Sequence, residues 1–466
     1  MFKRNNKIKI ISVFIIFIIF LIFANSLLVK NYLKKNLNKK IKEFLKNKVL
    51  VYSTISNQKK DIKSKGKQIS KLLKENKKLN YQLKFLNNYK NNGLLVEENF
   101  INDFGSRKLN YFKKFKIEST NFELYQIEED FSGSFYLENY DQNIIVNFAN
   151  GNTFYFDEKD LDEKKLKIKF LPTNIKSFLD NTNEENITAK IRDSKIINNQ
   201  IYLSYTKKIK QSCYNTSIIY SEINFNFMEF KEFFTYSDCV STKNVVSGTG
   251  GRIQKISDKN IILTIGDQLN LHRAQDPNTM FGKTVVIDIF SKKFKIVTMG
   301  HKNPQGLAYS KLHNLIFSSE HQSKGGDEIN LLKIENNKIF NYGWAISSYG
   351  DHYDYVSSKD RKKYPLYKSH KDYGFEEPLI YFNPAIAPSE IVIESENENN
   401  IDFLLSTLKA KSLYEISYDV NNKKISLGNK IYIGQRIRDL FNSDEYILLA
   451  LEGNSSIGIL KKKIGK

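Results

Sequence analysis

From about residue 118 onward the chain alternates short apolar or half-apolar runs with turns of Asn, Asp, Gly and Lys. NIIVNF (143–148), QIYLSYT (200–206), NIILTIG (260–266), TVVIDIF (284–290), NLIFSS (314–319), IDFLLST (401–407) and EYILLALEG (445–453) each have the length of one strand. They are rich in β-branched and aromatic residues and recur too densely for a βαβ plan. Many short strands at regular spacing predict a sandwich, a barrel or a propeller. Residues 105–466 shared among six four-stranded blades give about 60 residues per blade, within the range of a propeller with long loops. No sharp internal repeat accompanies this spacing.

The N-terminal quarter has a different pattern. Residues 10–29 (IISVFIIFIIFLIFANSLLV) carry no charge. A run of roughly twenty apolar residues is long enough to cross a bilayer as a helix. A cleaved signal peptide is the rival reading, because Ala24-Asn25-Ser26 is small and polar, but apolar character resumes at Leu27-Leu28-Val29. Lysines and arginines flank the span on both sides, so the positive-inside rule is indecisive. Residues 31–93 are lysine-rich, with apolar residues at Ile69, Leu72, Leu73, Leu79, Leu83 and Leu86. That spacing predicts an amphipathic or coiled-coil stalk. The expected organisation is a tip and transmembrane anchor over 1–30, a helical stalk over 31–93 and an all-β domain over 94–466. The all-β domain is expected outside the cytoplasm, periplasmic or extracellular.

Charge changes the picture only by its location. The chain carries +21 overall, of which +18 falls in residues 1–100 and +3 in the remainder. A basic stalk and a near-neutral domain argue against a nucleic-acid partner and for a spacer, a self-associating stalk or a contact with anionic lipid. The two cysteines, Cys213 and Cys239, stand 26 residues apart without CxxC spacing or a nearby His. A disulfide and two buried thiols are both open readings.

Residues 300–350 hold GHKNPQG, EH, GGDEIN, NYGW and SYG in that order, with the chain's single tryptophan, Trp344. With GGRIQKISDKNIILTIGDQ (250–268), AQDPNTMFGKTVVIDI (274–289), FNPAIAPSEIVI (382–393), LLSTLKAKSLYEI (404–416) and RIRDLF (436–441), the order resembles the glucose/sorbosone dehydrogenase family across roughly residues 195–460. The resemblance implies a six-bladed β-propeller, preceded here by the transmembrane helix and helical stalk. It implies a pyrroloquinoline quinone (PQQ) cofactor, calcium, and oxidation of an aldose sugar or related alcohol. Electrons then leave to a separate acceptor, since no haem attachment motif is present.

The resemblance also assigns residues. Arg436 and Arg438 match the family's cofactor-binding arginine pair, and two residues apart on a strand they project from one face. Lys409 matches its cofactor lysine and Asn303 its cofactor asparagine. Lys302 stands where most members carry arginine, keeping the charge and losing the planar fork. Carbonyls of Gln322 and Ser323 match the cofactor-side calcium, and Asp327, Glu328 and Tyr342 the region of a structural calcium. The family's proton-accepting histidine falls on Gly248, four residues before Arg252, and glycine cannot take a proton. Its partner acid is retained as Asp267, and His272 in the following loop is the candidate for a displaced base. His301 is expected to brace its turn. Two functions follow: a membrane-anchored quinoprotein-like dehydrogenase, or a catalytically degenerate propeller that binds cofactor, carbohydrate or a protein partner without turnover.

Overall fold

A computed structural model describes residues 134–162, 168–179, 190–241, 247–452 and 456–462. It also describes the strands Val96–Glu97 and Leu109–Lys116 and a few helical residues between 64 and 72. The chain divides into two compact units, Met1–Lys84 and Phe85–Lys466. In the first unit the described residues are helical, and Ile69 and Leu72 are exposed. The predicted anchor and most of the predicted stalk lie outside the described residues. Among the described residues no helix is long and apolar enough to cross a membrane.

The second unit is a six-bladed β-propeller. Blade 1 comprises Phe135–Tyr140, Asn143–Phe148, Thr153–Asp157 and Lys169–Leu171. Blade 2 comprises Ile191–Ile197, Gln200–Lys210, Cys213–Glu222 and Lys231–Phe234, with the short Val240–Ser241 added to its third strand. Blade 3 runs through Gly250–Lys255, Asn260–Ile265, Lys283–Asp288 and Phe294–Met299, and gains Phe340–Asn341 in parallel. Blade 4 is Asn303–Ser310, Leu315–His321, Asp327–Leu332 and Ile380–Phe382. Blade 5 is Pro388–Glu396, Asn400–Thr407, Ser412–Asp419 and Lys424–Tyr432. Blade 6 takes Ile437–Asn442, Tyr446–Leu451 and Ser456–Lys462 from the C-terminal end and borrows Leu109–Lys116 from the N-terminal side. That shared sheet closes the ring.

The first strand of every blade packs on the first strands of its two neighbours, so these six line the axis. Alternating burial follows from the pleat, and the apolar faces meet in one cluster between each pair of blades. Ile144, Val146, Leu448 and Ile459 join blades 1 and 6, for example, and Phe317, Ile391, Phe403 and Tyr418 join blades 4 and 5.

Five of the six axial strands carry a register shift near their mouth end, with blade 1 the exception. The shifts fall between Ile191 and Asp193, Gly250 and Ile253, Pro304 and Gly306, Pro388 and Ile391, and Ile437 and Asp439. A bulge leaves an extra residue unpaired and re-aims its side chain. The residues set free in this way include Arg192, Arg252, Gln305, Glu390 and Arg438. The polar axis of the propeller is built largely from them.

The cysteines, which composition left undecided, are joined as a Cys213–Cys239 disulfide. It ties the third strand of blade 2 to the segment that pairs beside it, with Ser241 opposite Cys213.

Candidate functional site

The segments that precede each axial strand and those that join second to third strands gather at one end of the axis. Arg436 immediately precedes the axial strand of blade 6, and Arg438 lies two residues on. The two-residue spacing predicts a common face on a regular strand, but Arg436 lies outside the strand and Arg438 at its bulge, so it is their shared partner that turns them together. Arg436 Nε donates to Glu452 Oε1 at 2.6 Å and Arg438 Nε to Glu452 Oε2 at 2.8 Å. One carboxylate thus posts both guanidinium groups. Ser134 Oγ of blade 1 also donates to Glu452, at 2.8 Å. Burial opposes the Glu452 charge, but Arg438 and then Arg436 hold its pKa down to about 2. The outer nitrogens face the mouth, where Arg438 Nη1 donates to Gln305 Oε1 at 3.1 Å.

Cations crowd this end. Burial, then repulsion from Arg192 and Arg438, lowers Lys190 to about 7, and burial lowers Arg192 to about 10 with Arg438 adding to it. His321 Nε2 faces the Pro388 carbonyl at 2.7 Å. Burial first, then Lys302, Arg438 and Arg436, push its pKa down to about 3, so the ring is neutral. Asn303 is tied into the same wall: its Oδ1 accepts from Gly250 N at 3.1 Å and from Gln305 Nε2 at 3.0 Å.

The structure brings Gly248, Asp267, Lys302 and Trp344 together. Gly248 adopts φ +65, and a Cβ there would lie 3.3 Å from Asp267 Oδ1. Asp267 is fully buried; its Oδ2 accepts from Trp344 Nε1 at 2.7 Å and its Oδ1 from Leu269 N at 2.8 Å. Burial pushes its pKa up to about 6 against the pull of Lys302. A side chain at position 248 would therefore start beside this acid, as the resemblance implies. His272 is exposed at the start of the short 3-10 helix Arg273–Gln275 and makes no side-chain capping bond. Lys409 is exposed between the second and third strands of blade 5. It lines a cleft of about 540 Å³ with Tyr381, Asn383, Tyr414 and Lys430.

The predicted calcium residues lie in blade 4 and, for Tyr342, in the long connection between its third and fourth strands, and most of their side chains are already committed. Asp327 accepts from Gln322 N, Ile386 N and Ala387 N at 3.1, 2.8 and 2.7 Å. Tyr342 Oη donates to Leu331 O at 2.6 Å and accepts from Lys333 N at 3.0 Å. Glu328 Oε2 accepts from Gln322 Nε2 at 3.1 Å and Asn330 Nδ2 at 3.2 Å. Its Oε1 lies 3.3 Å from His370 Nε2, and burial lowers the His370 pKa but is outweighed, chiefly by this carboxylate, so the net shift is upward. Ser323 Oγ donates to Asp351 O. His301 braces its turn as expected, between Thr298 and Glu320, and stacks on Tyr342 at 4.8 Å.

Some members of this site were not read from the sequence. Glu452 carries no motif of its own. Arg252 served there only to locate position 248, yet it stands on the axis. Its Nη1 pairs with Asp193, Glu390 and Asp439, its Nη2 donates to Arg438 O and its Nε to Gln305 O, and Tyr136 lies under it at 5.3 Å. One side chain of blade 3 thus reaches the other five blades. Beside it lies a cavity of about 220 Å³ lined by Glu138, Asp193, Lys195, Glu390 and Asp439 among others.

Residues 193–461, more than half of the chain, match the glucose/sorbosone dehydrogenase family, and the chain belongs to it. It is 25% identical over 280 residues to the aldose sugar dehydrogenase YliI of Escherichia coli (strain K12), covering 56% of this chain and 72% of that protein. It is 30% identical over 217 residues to an uncharacterized protein of Synechocystis, covering 41% of this chain and 50% of that one. Among solved structures, the soluble aldose sugar dehydrogenase of Escherichia coli in its apo form gives a TM-score of 0.58 at 20% identity, over 76% of this chain and 99% of that chain. The PQQ-bound form of the aldose sugar dehydrogenase of Streptomyces coelicolor gives 0.52 at 16% identity, over 71% and 94%. At such identities the likeness to solved structures is one of fold.

Proposed function

We propose that this chain is a membrane-anchored, quinoprotein-like dehydrogenase that binds PQQ at the propeller mouth and oxidises an aldose sugar or related alcohol. The observation that carries the reading is the arginine pair posted by Glu452, with the terminal nitrogens of Arg436 left for an anion and Arg438 Nη1 shared with Gln305. Planar forks suit a polycarboxylated ligand, and an anion would relieve the mutual repulsion that helps depress Lys190. The residues present therefore fit the cofactor: Arg436 and Arg438 would take carboxylates, with Asn303, Lys302 and Lys409 around them. When bound, the quinone supplies the acceptor for the substrate's hydride. For calcium, Gln322 Oε1 is a buried acceptor without a hydrogen-bond donor, which suits a hard cation, whereas Glu328 Oε1 is already paired with His370. Ser323, Asp327 and Tyr342 would then shape the site rather than ligate through their side chains.

The apolar run over 10–29 and the Cys213–Cys239 bond support an exported, anchored protein. The stalk would hold the propeller off the membrane or self-associate, and a separate protein or membrane quinone would take the electrons.

A specific observation favours the second reading, binding without turnover. Gly248 offers no base, and Asp267 behind it is fully buried. One experiment separates the two: the full chain in detergent is loaded with PQQ and calcium and followed by quinone absorbance and aldose-dependent dye reduction. Absorbance with dye reduction supports the dehydrogenase. Absorbance without dye reduction, restored by Gly248→His, supports the binder. No absorbance overturns the dehydrogenase and cofactor binding alike, and leaves a propeller that binds carbohydrate or a protein partner.

A further inference from the structure

Lys302 immediately precedes the axial strand of blade 4, and both sides of its peptide are fixed. Its N–H donates to Glu320, and its carbonyl accepts from Asp267 N at 2.8 Å. The side chain is only 9% exposed. Nζ lies 5.5 Å from the centre of the Trp344 ring and 5.8 Å from that of Tyr353. Trp344 in turn holds Asp267 Oδ2 at 2.7 Å. Amine, indole and carboxylate therefore form one cluster, beside the place where Gly248 leaves out a side chain. The outer wall is aromatic: Tyr353 stacks on Tyr355 at 5.5 Å, and Tyr355 is exposed.

Resting on the dehydrogenase reading, we propose that Lys302 Nζ is the proton acceptor of this mouth, with Asp267 steadying the ammonium it becomes. Arginine has no accessible neutral form, whereas a buried lysine does. Burial lowers the Lys302 pKa from its ordinary value; Asp267 opposes this most, then Asp327 and Glu320. Of the titratable rings facing it, His321 is neutral, and burial raises the Tyr353 phenol so that it stays neutral too. In the step, the substrate O–H bond breaks and its proton passes to Nζ. The oxygen's electron pair closes the carbonyl as the C–H pair leaves, as hydride, to the quinone oxidant. The rate therefore rises with pH through the lowered pKa of Lys302.

Trp344, as the chain's only tryptophan, gives a readout independent of turnover. Its fluorescence is titrated in the full chain without cofactor. A transition below the ordinary lysine range is expected, lost in K302M and moved to lower pH in D267N. In the PQQ- and calcium-loaded protein kcat should rise with pH along a limb that K302M abolishes, displaced from the cofactor-free transition by the cofactor's own charge. K302R should lose about 100-fold in kcat while keeping the quinone absorbance, and K302R/G248H should recover activity. The proposal is overturned if the Trp344 transition is absent or indifferent to K302M, or if K302R stays within about threefold of wild type with the same pH limb. It is also overturned if the wild type binds PQQ yet stays inert to about pH 10 while G248H turns over. That last outcome leaves cofactor binding standing, whereas wild type without quinone absorbance sinks the dehydrogenase reading and this one together.

Discussion

Glu452 decides whether two arginines present a fixed fork or two mobile charges. Each Nε bond to it is charge-assisted, and such bonds contribute roughly 1.5–3 kcal/mol apiece. Glu452→Gln keeps the shape and removes the charge. The expected result is a PQQ affinity about 10- to 100-fold weaker by calorimetry, with the fold retained. Unchanged affinity would show that the arginines are positioned by other means. The same group sets an acid limit. Its folded pKa of about 2 lies below the ordinary 4.5 of a free glutamate, so its contribution is complete above that value and is lost as pH falls toward 2. The arginine pair was legible in RIRD as a motif, but its common direction was not, because a bulge at Arg438 breaks the period of two. Glu452 was not legible either, because which carboxylate lies between two arginines is fixed by blade pairing. Gly248 was legible through its spacing from Arg252, and the structure adds that its vacant side chain would meet Asp267.

Strands were the most readable elements. The runs 143–148, 260–266 and 401–407 coincide closely with Asn143–Phe148, Asn260–Ile265 and Asn400–Thr407, since each is a mainly apolar stretch bounded by turn residues. The bulges were invisible, because an extra residue changes pairing without changing pattern. Ring closure was equally hidden, as it joins Leu109–Lys116 to Ser456–Lys462 across most of the chain. That strand makes a sharp prediction. A chain starting at residue 85 should give a monomeric, cooperatively melting propeller. One starting at residue 134 leaves SIGILKK as an unpaired edge and should melt lower and aggregate on size-exclusion chromatography. Equal behaviour of the two would remove Leu109–Lys116 from the closure. Within blade 2, the Cys213–Cys239 bond closes a moderate loop worth about 3 kcal/mol by chain entropy. Cys213→Ser with Cys239→Ser should lower the melting temperature measurably, and reductant should then have no further effect.

The whole ring turns on Arg252. Asp193, Glu390 and Asp439 bring three carboxylates to one guanidinium, and each also accepts a backbone N–H. Asp193 accepts from Ile253, Glu390 from Leu307, and Asp439 from Leu137, at 2.7, 3.3 and 2.8 Å. These contacts stitch blade to neighbouring blade where the apolar inter-blade clusters end. Three buried anions against one cation cannot all stay ionised cheaply. Burial accordingly raises Glu390 and Asp193, and takes nearby Glu138 to about 7 despite Lys195. The sign follows from proton counting. Between the unfolded and raised folded values, the folded propeller holds protons that the unfolded chain has released. Stability should therefore fall as pH rises from about 5 to 8, opposite to the trend Glu452 imposes at lower pH. Thermal melts at pH 5.5 and 8.5 test this, with Glu390→Gln expected to flatten the slope and a higher melting temperature at pH 8.5 refuting it. Arg252→Met leaves the acids buried without their counter-charge, which costs about 3–5 kcal/mol where one partner of a buried pair is removed. The loss should be smallest at acid pH, where the acids are neutral. A variant equally destabilised at both pH values would mean that Arg252 holds the axis by packing rather than by charge.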